Sequence, residues 1–144
     1  MRSAEYFRQY IDDVEVIRPL DHEKCSKKNI FLDANANGLT EYFTDINFLK
    51  SIIIDGVSML VVCLDSCELY EDNGLVDKEM LRSVSRAIGM ANFDQIILLN
   101  HLSILDTDSD PLFNSRLVIE FVRENNIEHV FCGHTPSVVS DEVD

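Results

Sequence analysis

The chain reads as an α/β domain built on a partly parallel sheet, and three observations predict it. From residue 57 onward, apolar runs and amphipathic segments alternate in the order strand, helix, strand, helix, strand. Three of the runs end on polar or metal-capable side chains. Met59-Leu60-Val61-Val62-Cys63-Leu64 leads into Asp65-Ser66, Ile96-Ile97-Leu98-Leu99 into Asn100-His101, and Val130-Phe131-Cys132 into Gly133-His134. Open α/β sheets build their sites at such carboxyl ends of strands. Finally, 144 residues with 46% hydrophobic content suffice for one real core and leave no room for two ordinary domains.

Taken in order, residues 3–11 predict a short helix with Phe7, Tyr10 and Ile11 on one side. Val14-Glu15-Val16-Ile17 alternates like a strand until Pro19 stops it. Residues 21–29 are polar and read as loop, and a turn is expected at Asn35-Ala36-Asn37-Gly38. Phe48–Ile54 and Val57–Leu64 flank Asp55-Gly56, a strong signal for a type I′ hairpin. The second arm is apolar on both faces, which predicts an interior strand. An acidic loop over 68–73 closes at Gly74.

Val76, Met80, Leu81, Val84, Ala87 and Ile88 then recur at helical spacing, with Gly89 where a C-cap belongs. A strand over 95–99 follows. Asp110-Pro111 suits the start of a second helix, with Phe113, Leu117, Val118, Phe121 and Val122 on its apolar face and a stop near Asn125-Asn126. A strand over 128–132 comes last.

The formal net charge of −14 argues against duplex nucleic acid and anionic membranes as partners, because phosphate contacts need clustered Lys and Arg. A small phosphorylated substrate stays open, since bound cations can dominate the local field. No apolar run approaches the ~20 residues of a membrane span, and residues 1–7 lack a secretory apolar core, so a cytoplasmic setting is expected. Cys25, Cys63, Cys67 and Cys132 fit that setting as reduced thiols, with Cys63 and Cys132 acting as small hydrophobes within strands. A zinc site on His22, Cys25, Cys63 and Cys67 matches no paired-knuckle spacing. Asp106, Asp108 and Asp110 begin like a calcium loop but lack its glycine and closing glutamate, and a solvated loop is the expectation.

His101 and His134 end two strands separated by one helix. A right-handed crossover would set those strands parallel and close, letting both imidazoles meet at one point. Two neutral imidazoles form a partial shell for Mn, Fe or Zn; two separately hydrogen-bonded histidines are the alternative.

The ordered set Leu64-Asp65-Ser66, Gly74-Leu75, helix, Leu98-Leu99-Asn100-His101, helix, Val130-Phe131-Cys132-Gly133-His134 resembles the C-terminal half of the calcineurin-like metallophosphoesterases, over roughly residues 45–136. The resemblance implies a partial layered αββα sandwich of the metallophosphoesterase type, as a single, apparently truncated domain over 1–144. It also implies a divalent metal held by His101 and His134. Asp65, Ser66, Asn100 and Gly133 are expected to shape the site around these ligands rather than to bind metal.

The chain departs from the family in two ways. Pro136 replaces the second histidine of the Gly-His-x-His turn, a replacement shared with phosphoprotein-phosphatase-type members. The family's Asp-x-His, Gly-Asp-x-x-Asp and Gly-Asn-His motifs are absent. The expected function is therefore that of a metal-dependent phosphoesterase fragment, weakly active or inactive alone. Its substrate would be a phosphorylated small molecule or a phosphoprotein. Missing N-terminal strands should leave a sheet edge and a sheet face open, so a homo-oligomer or a complementing chain is expected. The alternative is a non-catalytic protein-interaction module that keeps the fold.

Overall fold

The structure, a computed structural model, describes residues 13–17, 19, 21, 47–66, 74–105 and 112–133. The expected helix over 3–11, the turn at 35–38, the acidic loops at 68–73 and 106–110, Cys25, Cys67 and His134 lie outside the described residues. The described residues form an α/β arrangement with a five-stranded mixed sheet and two helices. In chain order the elements are β1 (Glu15–Val16), β2 (Phe48–Ile54), β3 (Val57–Leu64), α1 (Lys78–Met90), β4 (Gln95–Asn100), α2 (Ser115–Glu124) and β5 (His129–Cys132). Spatial order follows chain order; β1, β2 and β3 pair antiparallel, and β3, β4 and β5 pair parallel.

The Asp55-Gly56 hairpin forms with the expected bounds. Asp55 (φ 51°) and Gly56 (φ 79°) both adopt left-handed backbone, as a type I′ turn demands. Strand β3 lies between β2 and β4, the interior place that its two apolar faces predict. Alternation then divides the sheet. Leu60, Val62, Leu64, Ile96 and Leu98 join Val84 of α1 and Val118 of α2 in one buried cluster, so both helices cover that face. Full burial of a side chain such as Leu98 contributes about 1.5–3 kcal/mol, which makes this layer the main stabilising contact.

Both helices depart from expectation at their ends. Helix α1 runs through Gly89 to Met90, and the Ala91 N–H closes it on the Ile88 carbonyl at 3.1 Å. Ala91 does so in extended backbone (φ −86°), so no left-handed glycine is required there. Its start is capped by Asp77, whose carboxylate accepts the Glu79 N–H at 3.0 Å. Helix α2 begins at Ser115 behind Asn114, so Asp110 is not its cap, and Phe113 stands 83% exposed ahead of the helix instead of on its buried face. The stop at Asn125-Asn126 occurs as expected: Asn126 is left-handed (φ 52°), and the Ile127 N–H bonds the Val122 carbonyl at 3.0 Å. Among the described residues, no helix is long and apolar enough to cross a membrane.

Candidate functional site at the strand ends

The parallel register sets the site. Leu64 pairs with Asn100, and Asn100 with Cys132, so β3, β4 and β5 finish level. Asp65, His101 and Gly133 are therefore the first residues past three neighbouring strands, which are spaced about 4.8 Å apart. His101 is exposed, while Asp65 and Ser66 are buried.

Four hydrogen bonds knit these ends together. The Gly133 N–H donates to the His101 carbonyl at 3.0 Å, tying the end of β5 to that of β4. The Leu102 N–H donates to Ser66 Oγ at 3.4 Å, tying β4 to β3. Asn100 Nδ2 donates to the Leu102 carbonyl at 2.7 Å. The Asp65 N–H donates to Asn47 Oδ1 at 2.8 Å, fixing the exit of β3 to the entry of β2. Asn100 Oδ1 is the buried side-chain oxygen with no partner among the described residues.

Glycine matters at two of these positions. A Cβ on Gly74 would collide with the Ser66 carbonyl and the Leu102 side chain, so only glycine lets the chain pass against the strand ends here. At Gly133 a Cβ would lie 3.5 Å from His101 Nδ1; the imidazole lies against the Gly133 backbone.

Chemically, the assembled part is an exposed imidazole with its backbone held on both sides, next to a chain that continues into His134. His134 lies outside the described residues, so the pairing of the two imidazoles is not placed. Among the described residues, no group of three or more His, Cys, Asp or Glu side chains is arranged to hold a metal ion. Asp65, Ser66, Asn100 and Gly133 all fall in the cluster. Sequence reasoning did not single out Asn47, which precedes β2 and has no periodic signal; only its contact across 18 residues marks it.

Cys63 and Cys132 lie within β3 and β5 as half-buried thiols, the strand positions expected of small hydrophobes. Burial pushes the Cys63 thiol up to about 12, so it stays protonated at neutral pH. Compared with models of known protein families and with curated proteins, the chain matches none.

Proposed function

We propose that this chain serves metal-dependent phosphoester hydrolysis, as the C-terminal layer of a calcineurin-like metallophosphoesterase fold with its αββα packing. His101 and His134 would be ligands of one divalent ion. The observation that carries this reading is the level finish of β3, β4 and β5, with the His101 carbonyl bonded to the Gly133 N–H. Residue 134 is then the next step of chain from the point where the His101 imidazole lies.

The donor set fits a first-row ion, because neutral imidazoles suit Mn, Fe and Zn. Such an ion supplies a Lewis acid that polarises a phosphoryl oxygen and lowers the pKa of water. In a chain of net charge −14, a cation at this point also relieves the repulsion of an anionic phosphate. Buried Asp65 and Ser66 shape the floor, and the His101 backbone sets the direction of its ring. Two-metal phosphoesterase chemistry needs ions roughly 3.5–4 Å apart and more ligands than two histidines. Efficient turnover therefore calls for further ligands from a complementing chain, with a phosphorylated small molecule or a phosphoprotein as substrate.

The test is manganese binding by calorimetry, on the chain and on a His101→Ala/His134→Ala double variant. Binding that the double variant abolishes is the expected result. Absence of binding, or binding indifferent to both substitutions, overturns the metal reading.

A different observation favours a second reading, the protein-interaction module. On the sheet face opposite the helices, Phe48 and Val61 are buried, while Leu99 and Phe131 on the β4–β5 side stand 38% and 48% exposed. By register, none of the chain's 26 acidic residues stands on this face within β1 to β5. The occupant its exposed β4–β5 side accepts is a second copy of the chain, whose Leu99 and Phe131 meet it with apolar groups and bury no carboxylate of these strands. Sedimentation of the chain against a Phe131→Glu variant tests this: association that the substitution abolishes supports it, and a wild-type monomer excludes it.

A further inference from the structure

We propose that Asn100 is a positioning residue for His101, acting through the peptide that joins residues 101 and 102. This inference rests on the site reading above, in which the direction of the His101 ring matters.

The peptide between His101 and Leu102 is held from both neighbouring strands. Its carbonyl accepts from the Gly133 N–H beyond β5 at 3.0 Å. Its N–H donates to Ser66 Oγ beyond β3 at 3.4 Å. The carbonyl and N–H of a trans peptide point in opposite directions, so a single peptide spans the two strand ends like one more rung of the sheet. The next carbonyl, that of Leu102, is taken by Asn100 Nδ2 at 2.7 Å. The chain therefore turns back on its own strand immediately after His101, and the ring is left lying against Gly133.

Asn100 is a costly residue for this place, which is the second line of support. It is 5% exposed, on the face of β4 that otherwise buries Ile96 and Leu98, and its Oδ1 has no partner among the described residues. A leucine there would continue the apolar stripe without burying a polar acceptor that must be desolvated. Flipping the amide gives no relief, because Oδ1 would then face the Leu102 carbonyl. The half of the side chain that is used is the half that holds the turn. A ring fixed by its own backbone binds a ligand without paying again to order it.

The experiment compares amide hydrogen exchange and manganese affinity in the wild-type chain, Asn100→Ala and Asn100→Asp. The aspartate keeps the shape and loses the donor. We expect the Gly133 and Leu102 amides to exchange at least tenfold faster in both variants, while the Val62, Leu98 and Val118 amides keep their wild-type rates. Manganese affinity should fall by about 10–100-fold. A uniform rise in exchange across all five amides would make Asn100 merely structural and overturn the proposal. Unchanged Gly133 exchange would overturn it too. Should Asn100→Ala not fold, Asn100→Asp and a Ser66→Ala variant, which removes the neighbouring anchor, decide by the same criterion. A wild-type chain that binds no manganese sinks the phosphoesterase reading, and the exchange rates still decide the role of Asn100.

Discussion

Cys63 shows how a single side chain is governed by its surroundings. It sits in the middle of the sheet, and burial raises its thiol from 9.0 to about 12. Because the raised value belongs to the folded state, its contribution to stability is fully present below pH 9. That contribution is lost as pH rises towards 12, when the unfolded chain gains by ionising first. Alkylation by iodoacetamide at pH 8 should therefore be roughly a thousandfold slower at Cys63 in the folded chain than in urea. Equal rates would mean that the strand opens readily. Asn100 belongs to the same scale: the run Ile96-Ile97-Leu98-Leu99 predicts the strand, but nothing in it foretells an amide turned back onto Leu102.

At the scale of elements, the start of α2 is set by a contact with another element. Asn114 offers α2 no side-chain cap. Its amide instead grips the backbone of Val76, ahead of α1: Oδ1 accepts the Val76 N–H at 3.0 Å, and Nδ2 donates to the Val76 carbonyl at 2.6 Å. Val76 is buried, so Asn114→Ala would strand both of its backbone groups. The expected loss is about 2–4 kcal/mol, read as a lower denaturation midpoint in urea with an unchanged slope. A loss within 0.5 kcal/mol would show that water replaces the side chain. This bracing also explains why Asp110-Pro111, a good helix start by composition, does not begin the helix. The local signal is outweighed by a partner 38 residues away.

At the scale of the molecule, the two sheet faces differ. The helix-covered face holds the core, whereas Leu99 and Phe131 stand out on the other. Two chains of net charge −14 repel each other over about a Debye length, ~10 Å at 0.1 M salt. Association through Leu99 and Phe131, on strands that place no acidic side chain on this face, should accordingly strengthen with added sodium chloride, because screening removes the repulsion while the apolar contact persists. Association that weakens with salt would point to ion pairs instead and exclude this face. The strand ends lie on the rim of both faces, so a partner covering Leu99 and Phe131 would also border His101.

The sequence by itself determined the hairpin, the interior place of β3, the alternation of strand and helix, and the run-out of three strands onto Asp65, His101 and Gly133. Those are properties of periodicity and turn chemistry, which act over a few residues. Only the tertiary structure decided the level register of those ends, the close pass of Gly74, the grips of Asn47 and Asn114, and the true ends of both helices. Each of these depends on a contact between residues far apart in the chain, where burial and hydrogen-bond satisfaction override local preference.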